Sequence, residues 1–168
     1  VDDDGWPDVY TTDMFPDDER RLRATTAFEG WDVYRAKVRI GYGFQLMRNM
    51  LQVNQGDGTF ADVGQMAGVA RTDWSWSALI ADLDLDGRRD VYVTNGVAHD
   101  VTDQDYVAYL ANQETMQAVT RSGRVDFGTL LKAMPTTPVA NVAFRNAGGL
   151  RFADRAREWG LDTPGFSN

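Results

Sequence analysis

The sequence predicts a mostly β protein made of repeated antiparallel hairpins, a propeller or similar repeat architecture, with a helical insertion. Two observations carry that prediction. One is an acidic loop, Asp82-Leu83-Asp84-Leu85-Asp86-Gly87-Arg88-Arg89-Asp90, set between two runs with strand character. The other is that this loop and a second, unrelated hairpin each occur twice within 168 residues.

The loop comes first because its chemistry is the more demanding. Carboxylates at loop positions 1, 3, 5 and 9 repel one another strongly once folding brings them together, so a cation is needed to offset them. A hard divalent ion suits this donor set. Ca²⁺ takes about 6–8 oxygens, and alternate residues of a tightly wound loop can turn inward on one ion. Gly87 at position 6 supplies a turn that a Cβ would resist. The expected ligands are the carboxylates of Asp82, Asp84, Asp86 and Asp90 with the backbone carbonyl of Arg88. An EF-hand is excluded, because its bidentate Glu at position 12 is Val93 here. The following Val91-Tyr92-Val93-Thr94-Asn95 alternates like a strand, and Trp76 to Ala81 is apolar enough to be its partner. The plain alternative is a solvated acidic turn.

Repetition argues against that alternative. The chain opens Val1-Asp2-Asp3-Asp4-Gly5-Trp6-Pro7-Asp8-Val9-Tyr10, which aligns on the first loop with Gly5 over Gly87. Asp2, Asp4, the Trp6 carbonyl and Asp8 are the ligands expected there, with position 1 falling before Val1. The chain is thus expected to start inside a metal loop and to be part of something longer. The second repeated element is Leu51 to Asp62, with its Asn54-Gln-Gly-Asp-Gly-Thr-Phe60 turn, matched by Val142 to Asp154. Similar tails follow, Met66-Ala67-Gly68-Val69 and Glu158-Trp159-Gly160-Leu161. Each reads as a hairpin whose second strand carries an inward Phe. Repeats of this length indicate a propeller or a similar array.

These residues, with Trp74-Ser75-Trp76 and the ending Gly165-Phe166-Ser167-Asn168, resemble the FG-GAP/VCBS repeats, the calcium-bearing blades of integrin α-subunit propellers and of bacterial surface proteins, here most similar to the bacterial branch related to cartilage acidic protein. The resemblance implies two or so four-stranded antiparallel propeller blades. A partial blade would occupy 1–69, a second 70–161, and the start of a third 162–168. Strands are expected at Asp8–Thr12, Phe44–Val53 and Thr59–Val63, then up to Ala81, at Asp90–Asn95, Asn141–Asn146 and Arg151–Arg155. Propellers close with about 4–8 blades, so two leave exposed edges that further blades or neighbouring chains would cover.

Two segments stand outside this pattern. Residues 13–43 begin polar and contain Trp31 and Tyr34. Residues 97–139 carry Thr102-Asp103-Gln104-Asp105, similar to a capping box, then Tyr106, Tyr109, Leu110, Gln113 and Met116 at helical spacing. A second short helix is expected from Phe127 to Met134, stopping before Pro135. Such insertions either form a binding face or pack over the propeller end.

Net charge −8 and a pI near 4.5 argue against nucleic-acid binding. Two Ca²⁺ per chain, in structural roles, would bring −8 to −4. No run of about 18 apolar residues is present to span a membrane as a helix. Zero cysteines rule out disulfides and thiolate metal sites. His99 is the one histidine and could act only as a lone base beside Asp100 or Asp103. Asp17-Asp18 and Asp103/Asp105 could pair in sugar chemistry, and Trp6, Trp31, Trp74 and Trp76 could stack on sugars or fill the taper between blades. The function expected is a non-catalytic, calcium-stabilised propeller segment of an extracellular, cell-surface or periplasmic protein that binds a protein or glycan. The alternatives are part of a lyase-type polysaccharide enzyme, or a subunit that assembles through blade edges.

Overall fold

A computed structural model describes residues 1–121 and 124–167. The last residue of the expected third-blade segment, Asn168, lies outside them, as do Ser122 and Gly123 of the second insertion. In chain order the elements are strands β1 (Val9–Thr11) and β2 (Met14–Phe15), helices α1 (Glu19–Thr25) and α2 (Trp31–Arg39), strands β3 (Met50–Asn54) and β4 (Phe60–Asp62), and the short helix α3 (Gly64–Ala67). Strands β5 (Asp73–Ala81) and β6 (Asp90–Asn95) follow, then α4 (Gln104–Ala111), α5 (Gln113–Val119), the small hairpin β7 (Thr120–Arg121) and β8 (Arg124–Val125), α6 (Phe127–Ala133), and strands β9 (Val142–Asn146) and β10 (Phe152–Asp154).

The framework is β-sheet and every strand pairing in it is antiparallel, as the repeats predict. One sheet runs β1-β3-β4; another runs β10-β9-β6-β5-β2. Within the second, β5, β6, β9 and β10 are consecutive neighbours in a four-stranded meander, the arrangement of a propeller blade. The two sheets repeat down to single residue pairs. Val9, Tyr10 and Thr11 lie opposite Gln52, Leu51 and Met50; Val91, Tyr92 and Val93 lie opposite Phe144, Ala143 and Val142. Val53 faces Ala61 across its hairpin as Arg145 faces Ala153. A slip of one residue would turn every side chain to the opposite face, so the shared register holds equivalent residues on equivalent faces. Burial differs, however: Val9 and Thr11 are exposed where Val91 and Val93 are buried, and Arg145 is half-buried where Val53 is buried.

One strand of each sheet supplies most of the core. Alternate residues of β3 and β6 turn inward, and Leu51, Val53, Val91 and Val93 join Ala67, Val69 and Phe144 in one buried cluster. Side-chain amides fix the ends of both sheets. Asn49 Oδ1 accepts from the Asp13 amide at 2.7 Å, and Asn141 Oδ1 from the Asn95 amide at 2.8 Å. Asn54 Oδ1 accepts from Gly56 N at 3.0 Å, and Asn146 Oδ1 from Gly148 N at 2.9 Å, closing the hairpin turns. Gly56 is required for a further reason. A Cβ there would sit 2.9 Å from Trp6 Nε1, and the residue has φ +72.

Several expectations need correction. Met14–Phe15, placed in an insertion from the sequence, forms the short strand β2 on the edge of β5, making a fifth strand. Two residues carry too little periodicity to read, yet they shield an open edge. Phe60, expected inward, is 47% exposed on the outer strand β4, whereas Phe152 packs against the core. Strand β3 begins at Met50 rather than Phe44. Residues 19–25 and 31–39 are helical, which the polar opening of that segment did not reveal. The helical run after residue 103 is two helices, because Asn112 ends α4 and its side chain caps α5 by accepting from Thr115 N. The N-cap of α4 is Asp103, accepting from Tyr106 N at 2.9 Å, rather than Thr102.

The chain divides into two compact units: Val1–Asp18, Met47–Val97 and Pro138–Asn168 form the first, Glu19–Leu46 and Ala98–Thr137 the second. In the second, two internal segments of the sequence meet through an ion pair, and the later one is tied within itself. The Arg21 guanidinium pairs with the buried Asp100 carboxylate at 2.8 Å, and Tyr106 donates to Leu130 O at 3.1 Å. Among the described residues no helix is long and apolar enough to cross a membrane.

Candidate metal centre

The loop between β5 and β6 folds because its side chains cap its own backbone. Asp82 Oδ1 and Oδ2 accept from the amides of Asp86 and Gly87, both at 3.0 Å. Asp86 Oδ1 accepts from Arg88 N at 2.9 Å. Leu85 and Gly87 take positive φ, +60 and +87, to wind the loop tightly. In consequence, ligand oxygens of Asp82, Asp84 and Asp86 come within 4.8 Å of one another. Among the described residues this is the one group of three acidic or histidine side chains that converges so closely. An all-carboxylate donor set of this size fits a hard divalent cation.

Asp90 is placed differently. Its carboxylate is fully buried, with Oδ2 accepting from Leu83 N at 2.9 Å and Oδ1 from Asn146 N at 2.8 Å. It pins the loop to β9 and stands outside the converging trio. Asp8 does the same in the first loop. Its Oδ1 accepts from Asn54 N at 2.9 Å, and its Oδ2 contacts the Val1 nitrogen. Asp4 Oδ1 accepts from Trp6 N at 2.8 Å, as Asp86 does from Arg88 N. Asp2 and Asp4 are exposed, and Asp2, Asp4 and Asp8 do not converge as the second loop's trio does.

Arginines offset part of the charge. Arg145, on β9, donates from Nε to Asp84 Oδ2 and from Nη2 to Asp86 Oδ2, each at 2.5 Å. Arg88 Nη2 reaches the same Asp86 oxygen at 2.6 Å, and its Nε donates to Asn146 O at 3.0 Å. The Arg88 amide, followed by the two guanidinium charges, holds the Asp86 carboxyl below the ordinary range; hydrogen bonding to Asp84 raises the Arg145 pKa. Neither guanidinium role was anticipated from the sequence. Aligning the two hairpins would have exposed Arg145, because it stands where Val53 stands in the first.

The remaining candidates have structural partners. His99 Nδ1 meets the Thr136 hydroxyl at 3.2 Å. Asp100 is paired with Arg21 and Asp103 caps α4. Asp17 is largely exposed near Arg71, at 3.7 Å. Trp6, Trp31 and Trp76 are about half exposed or more. Trp31 stacks on Tyr34 with ring centroids 5.3 Å apart, and Trp76 Nε1 donates to Gly96 O at 2.5 Å.

No curated protein and no solved structure matches the chain. A family model does: the FG-GAP-like repeat matches residues 1–93, which include both acidic loops and the first paired hairpin. With more than half of the chain matched and blade-like sheets built around those loops, the protein belongs to the FG-GAP-like repeat family.

Proposed function

We propose that this propeller-like repeat segment is a calcium-stabilised binding module, non-catalytic, working outside the cytoplasm at a cell surface, in a periplasm or in secreted form, and belonging to the bacterial branch of the family related to cartilage acidic protein. The observation that carries the proposal is the convergence of Asp82, Asp84 and Asp86 within 4.8 Å. Those three carboxylates, with the Arg88 carbonyl and Asp90 as the remaining candidates, would hold the ion in the second loop; Asp2, Asp4, Asp8 and the Trp6 carbonyl are the candidates in the first. The ion would supply charge neutralisation and a fixed loop shape. For a site with Kd ~10⁻⁴ M, ~1 mM calcium adds roughly 1.4 kcal/mol of stability. Cytosolic calcium would leave such a site empty, which is the ground for the extracytoplasmic placement.

The partner proposed is a protein or a glycan. What favours this over catalysis is that His99 is hydrogen-bonded to Thr136, Asp100 is paired with Arg21 and Asp103 caps α4. Calcium counting on dialysed protein tests the proposal, with Asp86→Ala as control. The expected result is one ion fewer in the variant and lower melting in calcium buffer. Unchanged stoichiometry and melting would sink the assignment.

A further inference from the structure

Arg145 breaks the repeat at the point where the break matters most. Its counterpart Val53 is buried and apolar, in the same register against the hairpin partner. Arg145 instead reaches two of the three converging carboxylates, with Nε on Asp84 Oδ2 and Nη2 on Asp86 Oδ2. Arg88 Nη2 shares the Asp86 Oδ2 atom, and Asp86 Oδ1 accepts the Arg88 amide. A carboxylate has about four lone-pair sites, and three of those on Asp86 are taken. A divalent ion needs the same lone pairs, and a guanidinium a few ångströms away repels it as well.

We infer that Arg145 is the affinity-setting residue of the second loop: its guanidinium and a divalent cation occupy Asp84 and Asp86 in alternation, so the arginine must withdraw before the ion seats. This rests on the cation site proposed above. When calcium is scarce, the guanidinium neutralises the loop in the ion's place and keeps it folded. When calcium is abundant, one fixed positive charge is exchanged for a mobile doubly charged one. The second loop therefore binds more weakly than its carboxylates alone would dictate. The first loop, with Val53 at this position, has no such competitor on its hairpin.

The test is a calorimetric titration of the whole chain with calcium chloride, comparing the unsubstituted protein with Arg145→Ala and Arg145→Gln. The glutamine variant keeps side-chain length and polarity should the alanine variant fold poorly. Both variants should bind calcium about five- to tenfold more tightly at the second loop, the scale set by removing two partly exposed ion pairs. Both should also melt at lower temperature in chelator. In the unsubstituted protein, the Arg145 Nε–H NMR resonance should shift as calcium is added. Calcium binding with unchanged or weaker affinity in both variants, and an indifferent Nε–H resonance, would overturn the competition while leaving the site intact. No binding by any of the three proteins at millimolar calcium would remove the site and the inference together.

Discussion

The loop entering β1 and the loop joining β5 to β6 follow one backbone path with different side-chain partners. Asp3 and Leu85 occupy the left-handed region at φ +62 and +60, and Gly5 and Gly87 follow at +90 and +87. Asp8 and Asp90 each hold the amide of the hairpin asparagine, Asn54 or Asn146. Beyond that skeleton the loops diverge. The second gathers three carboxylates and sets Arg88 and Arg145 against them. The first leaves Asp2 and Asp4 exposed, with Trp6 at the Arg88 position and Val53 at the Arg145 position. The difference teaches that the repeat conserves the buried hydrogen bonds that set the hairpin, while the exposed side chains above them can be rewritten one loop at a time.

The most damaging test of the shared skeleton is Asp90→Ala. It leaves the amides of Leu83 and Asn146 without their acceptor in a buried site, at roughly 1–3 kcal/mol each. Unfolding in urea with chelator present should show a loss of about 2–5 kcal/mol. Asp8→Ala should lose a comparable amount, since its carboxylate is also almost fully buried. If either variant unfolds like the parent protein, that carboxylate is not what anchors its hairpin.

A smaller effect separates the two hairpins. Arg48 pairs with Asp62 at 2.6 Å, whereas the residue aligned with Arg48 ahead of the second hairpin is Ala140. The hydrogen bond from Arg48 holds the Asp62 carboxyl below the ordinary range. Its folded-state pKa is depressed, so this stability is fully present above the unfolded value of about 3.9 and is lost as pH falls through the folded one. The pair is partly exposed, so Arg48→Ala should cost under about 1 kcal/mol at neutral pH. Acid titration of the two proteins should converge below pH ~3. A constant gap across that window would assign the Arg48 contribution to packing instead.

The smallest effect concerns Leu85, which is largely exposed and held at φ +60 where the first loop has Asp3. Leu85→Asn should raise stability by about 0.5–1 kcal/mol in thermal unfolding, because asparagine tolerates the left-handed region that leucine resists. A loss on substitution would mean that the exposed leucine has a partner of its own.

Much of this arrangement was legible in the sequence because it is periodic. The Asp-x-Asp-Gly spacing, the Val-Tyr strand opening after it and the paired Asn-x-Gly hairpins each occur twice, and strands β1, β4, β6, β9 and β10 lie within their expected limits. What escaped was aperiodic. Strand β2 has only two residues, and its pairing depends on a partner nearly 60 positions away. The break at Asn112 turns on one side chain capping the next helix, within a run whose spacing suits a single helix. The pairing of Arg21 with Asp100 joins segments far apart in the chain. The charge balance at the loop depended on Arg145, a residue that reads as an ordinary outward position of a strand until the hairpins are laid over one another.

The most direct measurement is thermal unfolding of the whole chain in calcium and in chelator, paired with metal counting on the dialysed protein. About two bound ions and a melting temperature that falls in chelator are the predicted result, with one of the two ions lost in Asp86→Ala. No bound calcium and melting indifferent to chelator would contradict the proposed metal centre, leaving the acidic loops as hydrogen-bonded turns of a propeller-like repeat.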